Sequence, residues 1–406
     1  MPSKVPVLSK QDVNRLWLHQ QGLLSLDAPP KLTKQRFSKL LNSVGALQID
    51  SVNVVDRAHY LTLFSRFANY DRAQIDKWIY QDHLAYEYWG HEASILPASQ
   101  LPFSLRRMKR FPSPRWKNSS YWENYQTSRS SKARVLRLIR EHGPLESKDF
   151  DKTKTDAQNQ VILGWGSVIS KEDKRSLNLL WHSGKLAISG RTHFRKQFDL
   201  AERVYDTSVQ PSTKAGYFDN WLQVGLEGNG VVCDSHLENY FTAPSLNAGE
   251  RTQVLNRAVR KGILRAVTVD GDDRPFYTND RYLETIHALP EATGTTLLCP
   301  FDSFLWQRKR AAEFLNFDYR IEIYVPEPKR QFGYYCMPIL HQGALVGRVD
   351  PKLHRESSCL EIRSLHLEPG FKSSRRFKSE LSAVTERLAD FLSASDIRYP
   401  KKTKLG

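Results

Sequence analysis

A single order of elements recurs along this chain: an amphipathic helix with a basic end, a glycine, then two short strands. Residues 131–142, SKARVLRLIREH, place Val135, Leu136, Leu138 and Ile139 on one helical face, and Gly143-Pro144 stops the helix. ESKDF opens a short second helix, and KEDKRSLNLLWHSGKLAISG supplies a third that ends near Gly184. Leu186–Ile188 and Phe194–Phe198 then read as strands of a basic hairpin carrying Arg191, Arg195 and Lys196. The order returns within 215–280, where AGERTQVLNRAVRKGILRAVTVDGDDRPFYT gives a helix to Lys261, a glycine, a strand through Val269, a Gly-Asp-Asp turn and a return strand. A weaker copy opens the chain, with helices over 10–22 and 33–44 and strand-like material in HLAYEYWGHEASILP. Helix, turn, helix and hairpin is the winged-helix order, and its repetition predicts tandem modules over 8–125, 131–207 and 213–288.

After residue 295 the texture changes. FDYRIEIYVP, FGYYCMPILH, ALVGRVD and CLEIRSLHL alternate in the manner of strands, and a helix over 373–394 closes the chain. A β-rich, barrel-like domain over 293–398 is expected, making the fold class α+β. The turn PEPKRQFG sets Lys329 and Arg330 between prolines and Gly333, as a stiff hairpin tip suited to a DNA groove or as an ordinary solvated turn.

Charge narrows the partner. Of the 406 residues 60 are Lys or Arg and 44 Asp or Glu, a formal surplus of +16, which favours a polyanion. No stretch approaches the roughly 20 apolar residues of a spanning helix, so nucleic acid is expected and a membrane is not. Cys233, Cys299, Cys336 and Cys359 lack ligand spacing and read as thiols of a reducing cytoplasm. HExxH, GxGxxG and P-loop motifs are absent from the sequence, so no metal or organic cofactor is expected. RRMKRFPSPRWKNSSYWENY (106–125) begins with Arg106, Arg107, Lys109 and Arg110 and interleaves Phe111, Trp116, Tyr121, Trp122 and Tyr125. Such a stretch serves either as a phosphate-holding, base-stacking arm or as a linker held down by its aromatics.

LQIDSVNVVDRAHYLTLFSRFANY (47–70) holds the chemical candidates. In an extended segment Leu47 and Ile49 enter a core while Gln48 and Asp50 share the other face. An amide beside a carboxylate is a water-positioning pair, or equally the wet side of an edge strand.

That stretch, EYWGHEASILP (87–97) and CPFDSFLWQRKRAAEFLNFDYRIEIYVPEPKRQFGYYCMPILHQGALVGRVDPKLHR (299–355) together resemble the AlkZ/YcaQ winged-helix DNA glycosylases. Within them the chain looks like the YcaQ branch, also called AlkX. The resemblance runs from about residue 8 to 395 and is thinnest over 150–170 and 205–250. It implies tandem winged helices with a β-barrel-like C-terminal unit, and hydrolysis of the N-glycosidic bond of N7-alkylated purines, including the unhooking of interstrand crosslinks. The family's motif, Gln, an apolar residue, then Gln or Asp, falls on Gln48, Ile49 and Asp50. Asp at the last position implies the broader-specificity branch, the antibiotic self-resistance branch carrying Gln there. On this reading Asp50 is the general base and cation stabiliser, Gln48 orients water, and His91 and Glu92 either support Asp50 or form a structural pair. Asp302 reads as a cap or as a partner for Arg308.

Lys329, Arg330, Arg106, Arg107, Lys109, Arg110, Arg191 and Arg195 are the expected DNA contacts. The implied partner is double-stranded DNA bearing N7-alkylpurine adducts or crosslinks, met by a monomer in a bacterial cytoplasm, with the nucleoid. The rival readings are a non-catalytic winged-helix transcription regulator, which leaves Gln48 and Asp50 without a task, and an RNA-binding protein, which the charge alone permits.

Overall fold

Side chains just ahead of the helices set where they begin. Ser9, Thr33, Ser128 and Ser374 accept the backbone N–H groups of Asp12, Arg36, Ser131 and Phe377, and Asn247 with Glu250 forms a capping box. The helices they start run Lys10–Gln20, Lys34–Val44, Arg129–His142, Arg375–Phe391 and Ala248–Arg260. The computed structural model describes residues 5–113, 117–118, 122, 125–150, 154–155, 161–162, 171–238 and 240–399. Its fold is α+β. Among the described residues no helix is long and apolar enough to cross a membrane.

Contacts gather the chain into two compact units, neither of them continuous in sequence. One comprises Ile75–Glu87 and Ala98–Tyr217. In it Arg129–His142 and Lys171–His182 lie with a three-stranded sheet in which Arg195–Leu200 is central, paired antiparallel to Leu145–Glu146 and to Leu186–Thr192. Val135, Ile139, Leu177, Trp181, Ile188 and Phe198 are buried within this unit. The expected second helix is a single 3-10 turn, Ser147–Phe150.

The other unit comprises Met1–Gln74, Tyr88–Pro97 and Phe218–Gly406. Its first strand, Val7–Leu8, runs parallel to Arg265–Val269, which pairs antiparallel with Asp272–Thr278. The start of the chain thus completes the sheet of the last repeat. The C-terminal strands Thr295–Leu297, Met337–His341, Ala344–His354 and Cys359–Leu367 follow one another antiparallel, and Asp396–Arg398 adds in parallel. This sheet is a curled half-barrel. Its register shifts at Ile339/Leu340 and at Asp350/Pro351, the second beside a proline. Val55, Ala58, Leu61 and Phe64 from the N-terminal part share one core with Leu297, Cys299, Tyr335, Leu360 and Leu388.

One expected strand, FDYRIEIYVP, is absent, and FGYYCMPILH is a strand only over Met337–His341. Phe317–Pro326 and Phe332–Cys336 are irregular, so Lys329 and Arg330 sit on a 3-10 turn, Glu327–Lys329, and not at the tip of a hairpin. Buried carboxylates replace the ladder. Glu322 accepts the N–H groups of Gln331 and Phe332 at 2.8 Å each and of Gly333 at 3.2 Å. Asp350 accepts those of Tyr334 at 3.1 Å and Tyr335 at 2.8 Å. Gly333 has φ +149°, and a Cβ there would stand 2.6 Å from the Asp350 carboxylate. Burial opposes ionisation of Glu322, and the three N–H groups with Arg320 outweigh it, holding its pKa below the usual carboxylate value. The sign follows: a depressed folded pKa contributes stability above the unfolded value, and that stability is lost as pH falls through the folded one. Glu322→Gln is therefore expected to lower stability by about 1–3 kcal/mol at neutral pH and to flatten the acid limb of the stability–pH curve, as measured by urea unfolding. An unchanged acid limb would show that this carboxylate does not organise the loop.

Candidate active site

The helix Lys34–Val44 ends on Gly45, which lies at φ +78° and donates its N–H to Leu41 O. A Cβ at Gly45 would stand 2.5 Å from Val224 Cγ1, so a larger residue has neither the conformation nor the room. This turn aims the chain into the strand Leu47–Gln48, which pairs antiparallel with Ala93–Pro97 in the register Leu47↔Ile95 and Gln48↔Ser94. Ile49 N extends the pairing to Ala93 O at 2.7 Å.

Leu47 is 1% exposed and Ile49 7% exposed, as the alternation requires. Gln48 is itself buried, at 8% exposure, so its amide does not lie on the wet face of an edge strand. Regular pairing ends there. Asp50 is half-buried and its Oδ1 accepts Val52 N–H at 2.8 Å, an Asx turn that fixes one oxygen. The Asp50 charge reaches Cys299 and Tyr335, whose Sγ and hydroxyl lie 3.5 Å apart. Burial, with Asp302 and Asp50 adding to it, pushes the Cys299 thiol up to about 12. Burial likewise holds the Tyr335 hydroxyl well above its usual value, so both stay neutral near Asp50.

His91 and Glu92 lie on the connection into the partner strand. The His91 ring stacks on Trp306 with centroids 4.5 Å apart and planes 9° apart. Its Nδ1 is 3.2 Å from Tyr240 O, and because a carbonyl only accepts, Nδ1 carries the proton. Glu92 is exposed, and its backbone oxygen accepts Gly90 N–H and the Ser94 hydroxyl. Asp302 caps Phe304 N, as expected, but its partner is Arg66 and not Arg308. The fork closes at 2.7 and 2.8 Å, with the two side chains 0% and 1% exposed. Sequence reasoning had no access to that pair, because the residues are 236 positions apart.

The expected DNA-binding cations differ in how freely they are presented. Lys109 and Arg110 are exposed, and Arg106 bonds Ser212 O at 2.9 Å. Half-buried Arg107 lies close enough to His182 to help burial depress that imidazole to about 4. Phe111 stacks on His182 at 5.0 Å and meets Trp122 edge-on, which favours the packed-down linker for that side chain. Trp122 and Tyr125 are half-buried, while Trp116 and Tyr121 lie outside the described residues. Arg195 pairs with Glu146 at 2.5 Å and is 43% exposed. Arg191 instead forks onto buried Glu87 at 2.6 and 2.7 Å and donates its third nitrogen to Phe194 O. Arg330 bonds Val325 O and lies over the Tyr334 ring, and Lys329 is exposed. Among the described residues no three His, Cys, Asp or Glu side chains gather where they could hold a metal.

Residues 41–391 match the family model described as DNA glycosylase AlkZ-like. The fold is similar to that of Streptomyces sahachiroi DNA glycosylase AlkZ, with 14% identity over 97% of this chain and 99% of that one and a TM-score of 0.63. At that identity the likeness carries the fold.

Arg191 is expected to behave as a structural residue. Arg191→Ala leaves Glu87, 2% exposed, buried without its cation and should cost about 3–5 kcal/mol in urea unfolding. Arg110→Ala, on the surface, should stay within about 0.5 kcal/mol. Equal, small effects for both would return Arg191 to the group of solvated cations.

Proposed function

The chain belongs to the AlkZ-like DNA glycosylase family, and from that premise we propose that it hydrolyses the N-glycosidic bond of N7-alkylated purines in double-stranded DNA and unhooks interstrand crosslinks. The observation that carries this reading is the pair Gln48 and Asp50 at the end of one short strand. The amide is buried, the carboxylate is held by Val52 N–H, and the thiol and phenol near it are kept neutral.

An N7-alkyl group makes the purine cationic, so the C1′–N9 bond is weakened before any residue acts. As that bond breaks, its electron pair returns to the purine and quenches the charge, leaving an oxocarbenium-like sugar. Asp50 stabilises this cation through its fixed negative charge and accepts the proton of the water that attacks C1′, in the manner of the second carboxylate in glycoside hydrolysis. Gln48 orients that water with an acceptor oxygen and a donor amide. Positioned proton transfer of this kind is worth about 10²–10⁴-fold. His91, with its proton on Nδ1, and Glu92 are placed beside the strand that pairs with Gln48 and support the site without taking a proton from water.

The helix-and-sheet arrangements over 129–200 and 248–278 serve as winged-helix modules on the duplex, acting with the N-terminal one. Lys109, Arg110, Arg107, Arg106, Arg195, Lys329 and Arg330 make phosphate contacts, and the protein works as a monomer in the bacterial cytoplasm. Such cations give affinity and register without sequence preference.

Three outcomes test the reading. Asp50→Asn should nearly abolish release of 7-methylguanine from duplex DNA while affinity changes little, and Gln48→Ala should be slowed. Wild-type release by Asp50→Asn would sink the assignment. A nitrogen-mustard-crosslinked duplex should run as separate strands on a denaturing gel after treatment, whereas uracil, a neutral leaving group, should be retained. Efficient uracil release would overturn the need for a cationic base, and failure to release any base would favour a non-catalytic DNA binder. Changing both Lys329 and Arg330 to Ala should weaken binding and flatten its salt dependence, and unchanged binding would leave that turn a solvated one.

A further inference from the structure

Residues 51–57 connect Asp50 to the helix Ala58–Phe64 and form neither helix nor strand. Their backbone oxygens therefore need donors from elsewhere. Arg57 Nη1 takes Ser51 O at 2.6 Å. Further donors come from the end of the strand Ala344–His354 and the turn that follows it, some 300 positions away in sequence. Arg355 Nη1 takes Asn53 O at 3.1 Å, and its Nη2 takes both Asn53 Oδ1 and Val55 O at 2.9 Å. Leu353 N–H takes Val54 O at 3.1 Å. Val52 and Val54 meanwhile press into the core shared with the C-terminal sheet. The strand ends that carry Arg355 are themselves braced by His354 Nε2 against Glu361 Oε2 at 2.8 Å.

The consequence reaches the carboxylate. Asp50 Oδ1 is held by Val52 N–H, and the residues that follow Val52 are held by Arg355, which donates to Asn53 O, Asn53 Oδ1 and Val55 O. Arg355 thus supplies three of the external ties on the segment that follows Asp50, beside Leu353 N–H on Val54 O and the Arg72–Asp56 pair at 2.6 Å. We propose that Arg355 is a positioning residue for the glycosylase reaction: it holds the 51–57 segment so that the Asp50 carboxylate keeps the orientation needed to face C1′ and the water. The inference rests on the assignment of Asp50 as base. It also explains why a strongly basic, exposed side chain beside the site is engaged by backbone oxygens, where a phosphate contact would leave it pointing outward.

The test uses the full-length protein with Arg355→Ala, Arg355→Lys and Asn53→Ala. Single-turnover release of 7-methylguanine, DNA affinity with its salt dependence, and amide hydrogen exchange over 51–57 are measured on each. Arg355→Ala should slow release by about ten- to a hundredfold, the scale of a small misplacement, with affinity and salt slope unchanged and faster exchange over 51–57. Arg355→Lys should remain impaired, because an ammonium does not reproduce a fork onto three acceptors. Asn53→Ala should give part of the defect and combine less than additively with Arg355→Ala. Full rescue by Lys, or a loss of affinity with a shallower salt slope and a normal release rate, would overturn the proposal in favour of a phosphate contact. Undisturbed exchange over 51–57 in Arg355→Ala would overturn it as well. Asp50→Asn, run alongside, separates the two readings: if it is inactive while Arg355→Ala is fully active, only the positioning role fails, and if it is fully active, the base assignment itself fails.

Discussion

The Arg66–Asp302 fork joins two segments, distant in sequence, of the unit that contains the candidate site. Its two charges are fully buried, a placement that costs several kcal/mol per ion unless the pairing geometry is good and the remaining donors are satisfied. They are largely satisfied. Arg66 also donates to Gln21 O, Thr62 O and Ser65 Oγ, Asp302 accepts Phe304 N–H, and Ser303 donates to Gln21 Oε1. One end of the fork follows the helix Ala58–Phe64, which the motif segment enters. The other end lies between Cys299, near Asp50, and Trp306, on which His91 stacks. The ion pair thus links the chain on both sides of the candidate site, with a directional geometry that a hydrophobic contact of the same area would not have.

Carboxylates organise irregular backbone throughout this unit. Asp50 holds Val52 N–H, Asp302 holds Phe304 N–H, Glu322 holds three consecutive N–H groups and Asp350 two. Each replaces a ladder or helix bond that the chain does not make locally, and each is an anion at a concave set of backbone donors. Asp50 differs from the others in being only half-buried. Under the proposed mechanism this leaves its second oxygen for the water while the first is fixed.

The basic surplus divides in the same way. Arg66, Arg191 and Arg310 are internal and have fixed acceptors, and burial lowers the Arg310 pKa to about 9. Lys109, Arg110 and Lys329 are exposed. A net charge of +16 is therefore not a count of phosphate contacts.

Local chemistry was legible from the amino acids alone. Helical periodicity and glycine stops located Arg129–His142, Lys171–His182, Ala248–Arg260 and Arg375–Phe391 to within a few residues, and strand-like texture located Leu186–Thr192, Ala344–His354 and Cys359–Leu367, because these signals act over a few residues. The Gln48–Asp50 pair was visible for the same reason, as a polar alternation inside an apolar run. What lay beyond reach was every feature decided by groups far apart in the chain. FDYRIEIYVP alternates like a strand, yet Glu322 turns its carboxylate onto residues nine to eleven positions on and the segment stays irregular. Asp302 had Arg308 nearby in sequence and pairs with Arg66, which the fold brings to it from 236 positions away. Arg355 carried no local signal at all. The sequence determined which segments form most of the helices and strands and that an amide and a carboxylate stand two residues apart in an apolar run; the tertiary structure alone decided that the segment after them is bonded to the end of a C-terminal strand and its turn, because long-range pairing depends on the folded path and not on neighbouring residues.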